Sequence, residues 1–116
     1  MAKVILLVNA NPGLEITQFI SSLEEDEIIA LYVSGNYPEV DEKIINNSKV
    51  CKDRIFLAAD LKDKNHINWL KSKNIDVLIT VYWPYLLKED IFRLAKKTVN
   101  FHPAMLPVNR GWYPHV

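Results

Sequence analysis

Two residues near the end of the chain carry side chains suited to chemistry at a carbonyl group. They are Asn100 and His102, in the run Val99-Asn100-Phe101-His102-Pro103. Residues two apart on a strand point to the same side, so Asn100 and His102 are expected to face one space while Phe101 turns into the core. An amide donor and an imidazole then converge. Acyl transfer needs both, because the carbonyl oxygen gains negative charge while the attacking amine must lose a proton. The pair alone is not diagnostic, since an Asn-x-His is more often a hydrogen-bonded strand end. Pro103, Pro107 and Pro114 stiffen the loop that follows, which equally suits a chain crossing a sheet edge. A second feature is Tyr82-Trp83-Pro84-Tyr85-Leu86-Leu87, aromatic and apolar where a loop is ordinarily polar. It can wall a pocket for a flat heterocycle. Capping the core or burying a subunit contact is the commoner meaning of such a stretch.

These residues must be positioned by an alternation of strands and helices. Lys3 to Asn9 is a short Val, Ile and Leu run closed by Asn and Pro-Gly, the pattern of a strand buried on both faces. Ile16, Phe19, Ile20 and Leu23 then recur at helical spacing. Glu27 to Ser34 and Arg54 to Ala59 read as strands, with Val40, Ile44 and Ile45 lining a short helix between them. Asn65 is placed to cap a helix whose stripe is Ile67 and Leu70 and whose end carries Lys71 and Lys73. Asp76 to Val81 gives a fourth strand. Lys88 to Lys97 repeats the helical pattern through Ile91, Leu94 and Ala95, and Thr98 to Phe101 forms strand five. Such alternation implies crossovers, hence an α/β chain with a Rossmann-like parallel sheet, three-layered with helices on both faces. Ligands of such sheets sit beyond the carboxyl ends of the strands.

A chain of 116 residues has the size of one domain. Its composition, 49% hydrophobic and 24% charged, is that of a globular protein. Lys plus Arg equals Asp plus Glu, so nothing in the net charge points to nucleic acid or an anionic membrane. The single cysteine, Cys51, excludes an intrachain disulfide and an all-thiolate metal site, and a cytoplasmic setting is expected. The opening apolar run is too short to span a bilayer, and no signal peptide is read. Gly13, Gly35 and Gly111 are the only glycines, too few for a dinucleotide fingerprint or a P-loop. No metal is expected, because His66 and His115 have no ligand spacing with His102. Both are read as solvent-facing. Cys51 is read as a plain small residue, and Lys62, Lys64, Lys71 and Lys73 as a solvated surface. Trp69 packs inward or marks a contact with another chain.

The segment Asn100-x-His102-Pro103-x-x-Leu106-Pro107-x-x-Arg110-Gly111, preceded by Asp76-Val77-Leu78-Ile79 and Tyr82-x-x-x-Leu86, resembles the signature of the formyltetrahydrofolate-dependent formyltransferases. The specific similarity covers Asp76 to Val116. It implies that residues 1–116 are the N-terminal, formyltetrahydrofolate-binding domain of such an enzyme, incomplete at its C-terminus, with a truncated formyltransferase fold. It implies 10-formyltetrahydrofolate as formyl donor, attack by a substrate amine, and a tetrahedral oxyanion. By the resemblance, Asn100 donates to that oxyanion, while His102 shares in stabilising it and in moving protons. Tyr82, Trp83, Pro84, Tyr85, Leu86 and Leu87 correspond to the stretch against which the family packs the pterin. Leu106-Pro107 is a candidate for a cis bond.

The family also uses an aspartate well beyond the Arg-Gly segment to orient the histidine, and this chain ends at Val116 before such a position. Removing the carboxylate orienter of a triad costs about four orders of magnitude in rate. By that analogy the polypeptide alone is expected to be nearly inactive. Leu106, Pro107, Asn109, Arg110 and Gly111 form the expected substrate loop. Arg110-Gly111 disfavours a glycinamide ribonucleotide formyltransferase, and the balanced charge gives no support to a methionyl-tRNA substrate. Asn109-Arg110-Gly111 is more like members that formylate amino sugars carried on a nucleotide diphosphate, the preferred small-molecule acceptor. A non-catalytic folate-binding or self-associating fragment is the competing reading. A homo-oligomer is expected, through an open sheet edge.

Overall fold

The structure, a computed structural model, describes residues 2–101. In chain order, the described residues form β1 (Lys3–Val8), α1 (Ala10–Ser21), β2 (Glu27–Val33), α2 (Pro38–Ser48), β3 (Ile55–Leu57), α3 (Lys64–Lys71), β4 (Ile75–Val81), α4 (Glu89–Phe92) and β5 (Ala95–Phe101). Short 3₁₀ turns at Lys52–Arg54 and Ala58–Lys62 flank β3. Every pairing is parallel, in the order β3-β2-β1-β4-β5. The expected α/β Rossmann-like parallel sheet is what the chain forms.

Strand periodicity explains the layers. Val4, Leu6 and Val8 of β1 lie in one cluster with Ile44, against which Leu14, Ile16 and Ile20 of α1 and Val40 and Ile45 of α2 pack. Ile5 and Leu7 point the other way, into a cluster with Ile67 and Leu70 of α3 and Ile91 of α4. Five consecutive residues of β1, Val4 to Val8, are at most 3% exposed, as expected of a strand covered on both faces. Each such aliphatic side chain contributes about 1.5–3 kcal/mol on burial, so β1 is the energetic centre of the fold.

Several local expectations are corrected. The helical pattern read over Lys88 to Lys97 is a single helical turn, Glu89–Phe92, followed by strand from Ala95. Ile91, Leu94 and Ala95 still meet the same core cluster, because a turn and then a strand bring them there. Pairing of Ala95 with Ile75 and of Lys97 with Val77 supplies backbone hydrogen bonds that a longer helix would forgo. The strand read over Arg54 to Ala59 is only Ile55–Leu57. Asn65 does not cap α3: Asp63 does, its side chain accepting from the Asn65 N–H at 3.0 Å. Phe19 is 59% exposed, since α1 turns Gly13 and Thr17 inward instead. A Cβ on Gly13 would stand 2.9 Å from Cβ of Val8, so this glycine lets the helix lie against the strand. Phe101, expected in the core, is 41% exposed; β5 has a strand on only one side among the described residues.

Among the described residues, no helix is long and apolar enough to cross a membrane.

Candidate active site

The strand order reverses direction between β1 and β4, which places their carboxyl ends side by side. Such a switch point is where open parallel sheets bind ligands. Polar side chains tie it together. Asn9, buried directly after β1, donates through Nδ2 to the Tyr82 carbonyl at 2.9 Å and accepts from the Ser34 hydroxyl at 2.6 Å. The Tyr82 N–H donates to the Phe101 carbonyl at 2.9 Å. The ends of β1, β2, β4 and β5 are thereby cross-linked. Tyr82 sits at φ +52°, a left-handed conformation that costs a non-glycine residue of order 1 kcal/mol and persists where its surroundings fix it. The bonds to both sides of Tyr82 do so.

Asn100 lies at the tip of β5, in register with Thr80 of β4. The Thr80 hydroxyl donates to Asn100 Oδ1 at 2.7 Å. An amide whose oxygen is engaged by a hydroxyl has its orientation set, and its nitrogen turns away from that hydroxyl. Thr80 is only 4% exposed while Asn100 is exposed. A buried residue therefore orients the Asn100 amide, and preoriented donors are what electrostatic stabilisation of an oxyanion uses.

The aromatic stretch that follows β4 divides. Trp83 and Leu87 pack against the α3–α4 face of the core, whereas Tyr82 packs against the opposite cluster. Trp83, Tyr85, Leu86 and Leu87 contribute to a groove of about 1000 Å³, at the upper end of the range for small-molecule sites. The groove runs from these residues to the 3₁₀ turn Ala58–Lys62 and α3, and its described lining includes neither Tyr82, Pro84 nor Asn100. Tyr85 stands edge-to-face with Trp83, ring centroids 5.5 Å apart, and its hydroxyl donates to the Ser34 carbonyl at 2.9 Å. Leu86 is 98% exposed. Trp83 Nε1 is buried with no hydrogen-bond partner among the described residues.

This placement can be set beside known proteins. No family model matches the chain. Residues of the chain are 32% identical over 83 positions to the methionyl-tRNA formyltransferase of Campylobacter jejuni strain RM1221, covering 72% of this chain and 23% of that protein. The methionyl-tRNA formyltransferase of Clostridium botulinum strain Alaska E43 is 27% identical over 111 residues, 89% of this chain and 36% of its own length. That of Staphylococcus epidermidis strain RP62A is 23% identical over 121 residues, 98% of this chain and 38% of its own length. These relatives support the formyltransferase family. The chain spans less than two-fifths of the length of the curated relatives it matches. None of them carries the name of an amino-sugar enzyme, so the preference for a nucleotide-linked sugar drawn from Asn109-Arg110-Gly111 gains no support.

Of the site residues that the formyltransferase resemblance implied, Asn100 and Tyr82 to Leu87 are placed as above. His102, Leu106, Pro107, Asn109, Arg110 and Gly111, with the expected cis bond at Leu106-Pro107, lie outside the described residues, as does His115. Thr80 was missed by sequence reasoning. Its signal was a lone hydroxyl in the otherwise aliphatic end of Ile75–Val81. Asn9 and Ser34 were read only as boundaries of strands, although each is buried and hydrogen-bonded at the switch point.

His66 is not solvent-facing. Its Nε2 lies 2.5 Å from the Tyr32 hydroxyl, and its ring packs on Phe56 at 4.4 Å between centroids. Burial pushes the Tyr32 phenol far above its usual range, with Asp60 adding to the effect. Tyr32 therefore remains the donor and Nε2 the acceptor. Desolvation holds the His66 pKa below its usual value, against the opposing pull of Asp60 and Asp63. Trp69 packs inward against Phe56, with Lys73 5.5 Å above its ring. Cys51 is exposed.

Proposed function

We propose that this chain forms the donor-binding part of a formyltransferase that moves a formyl group from 10-formyltetrahydrofolate to a primary amine. The observation that carries the reading is the Asn100 amide, oriented by buried Thr80 at the carboxyl tip of β5. The similarity to methionyl-tRNA formyltransferases supports it. In this reading the amine attacks the formyl carbon, the carbonyl oxygen becomes an oxyanion, and the Asn100 N–H stabilises it. His102 takes the proton that the amine must lose and returns it to N10 of the folate as the intermediate collapses by breaking the bond to that nitrogen. The pterin lies in the groove beside Trp83, Tyr85 and Leu87, where a flat heterocycle meets aromatic walls.

The acceptor we favour is the aminoacyl amine of methionyl-tRNA, in place of an amino sugar, because the relatives bear that name. Two measurements test the proposal. Titration of 5-formyltetrahydrofolate, a stable analogue of the donor, is expected to give a saturable change in tryptophan fluorescence; a flat response overturns the donor reading. In single-turnover reactions with protein in excess, labelled formyl is expected to appear slowly on methionyl-tRNA. Label on a nucleotide-linked amino sugar instead overturns the acceptor.

A further inference from the structure

His66 holds one wall of the groove without lining it. From Ala58 to His66 no residue is buried, yet Ala58, Ala59, Leu61, Lys62 and Lys64 form a wall of the groove, which Ile67, Asn68 and Lys71 continue. A segment with so little buried surface opens locally well before the whole fold does. Leu61, packed on the core, and the His66 side chain tie it to the sheet. The imidazole accepts from the Tyr32 hydroxyl of β2 and lies against Phe56 of β3 and Trp69 of α3, at 4.4 and 5.6 Å between centroids.

Tyr32 is 0% exposed, and its hydroxyl has no hydrogen-bond partner besides His66 among the described residues. A neutral imidazole suits this pair, because Nε2 accepts the proton that the phenol offers. An imidazolium does not, because both of its nitrogens are donors. N–H then meets O–H, and the phenol has no second acceptor to turn to. The groups around His66 decide where an imidazolium goes. β2 brings the phenol, which burial keeps protonated, and β3 brings the uncharged Phe56. The 3₁₀ turn brings Asp60 and the cap of α3 brings Asp63, both of which attract positive charge at the ring. Lys73 stands beyond them, over the Trp69 ring. Asp60 is half-buried and Asp63 exposed, so their attraction draws the ring toward water. The segment thus has two arrangements, one for each charge state of the imidazole.

We propose that His66 is an acid-released clasp: protonation breaks its bond to Tyr32, frees residues 58–66 from the sheet and loosens the wall of the groove, so that the groove holds its ligand less tightly in acid. For the ligand, taken as the folate donor, this rests on the reading above. The docked arrangement disfavours the proton. Release therefore begins as pH falls below about 6.5 and gains up to about tenfold per pH unit until the docked imidazole is itself protonated.

Hydrogen exchange of the full 116-residue chain tests the release without any ligand. The amides of Asp63 and Ile67 donate to the Asp60 and Asp63 carbonyls at 3.2 and 3.0 Å. Their protection is expected to fall about tenfold relative to amides of β1 between about pH 7 and pH 5.5. The His66 ring, followed by NMR, is expected to titrate over the same range. The neutral side chain of His66→Gln keeps an acceptor for Tyr32 and cannot be charged, so this variant should lack the step. Protection that is independent of pH, or lost equally from β1, refutes the clasp, as does a step retained in His66→Gln. A His66 ring that titrates outside the range of release refutes it too, and that comparison needs no variant. The affinity for 5-formyltetrahydrofolate, read by tryptophan fluorescence, is expected to fall about tenfold over that range in the parent and to stay level in His66→Gln. An unchanged affinity alongside a release that does occur overturns the link to the groove. No binding at any pH overturns the folate reading, while the exchange data still decide the clasp.

Discussion

Replacing Asn9 with alanine removes a side chain that bonds to the loops after both β2 and β4. Nδ2 of Asn9 donates to the Tyr82 carbonyl and Oδ1 accepts from the Ser34 hydroxyl, at 2.9 and 2.6 Å. Two such bonds contribute about 0.5–1.5 kcal/mol each, and a partner stranded in a buried place adds about 1–3 kcal/mol. Ser34 is 6% exposed, so its hydroxyl is the group stranded, although it still accepts from the Asn36 N–H. Asn9→Ala is therefore expected to destabilise the fold by about 2–6 kcal/mol. Total stabilities lie at about 5–15 kcal/mol, so this is a large share. Urea denaturation followed by far-UV circular dichroism measures the loss. A cycle with Ser34→Ala isolates the shared bond, with an expected coupling of about 1 kcal/mol. Folinic acid affinity is expected to fall as well, because Tyr82 anchors the loop that carries Trp83. A loss below about 0.5 kcal/mol together with zero coupling would refute the view that this network fixes the carboxyl edge.

Gly13→Ala places a methyl against Val8 and is expected to cost about 1–3 kcal/mol through overpacking, read as a lower midpoint in thermal melts. Burial raises the Asp41 carboxyl pKa, against the opposing Gly35 N–H. The folded chain thus holds that proton more tightly than the unfolded chain, and the associated stability is complete below about pH 4 and lost as pH rises through the raised value. Asp41→Asn is accordingly expected to be more stable than the parent at neutral pH, with the gap closing on acidification in paired urea titrations. His66 has the opposite dependence. Its lowered pKa means stability present above about pH 6.5 and lost as pH falls through the folded value, a loss that His66→Gln should lack. Self-association through the β5 edge is expected to appear as concentration-dependent sedimentation, and a single monomeric boundary at high concentration would exclude it.

The architecture was legible because the strands buried on both faces are mostly aliphatic, Lys3–Val8 after its first residue and Ile75–Val81 but for Asp76 and Thr80, and they need no tertiary information to be recognised. The stretch from Lys88 to Phe101 was less legible. Ile91, Leu94 and Ala95 satisfy a helical period and also a turn followed by a strand, and only the ladder to Ile75–Val81 decides between them. At the site, Asn100 was legible from its chemistry. Thr80 and Asn9 were not, since their importance lies in register and in contacts made across strands far apart in sequence. The groove lysines were visible as charges, but their convergence depends on how α3 meets the loop after β4.

The left-handed turn at Tyr82 breaks the alternation of β4, keeping Tyr82 on the same face of the sheet as Val81 and sending Trp83 to the other. Tyr82 joins the α1–α2 side, and Trp83 the α3–α4 side. A ligand pressing on the indole therefore pushes on a backbone that is also bolted to Asn9 and Phe101. In the proposed reading, a donor that fills the groove therefore bears also on the neighbouring strand tip, where Thr80 holds Asn100.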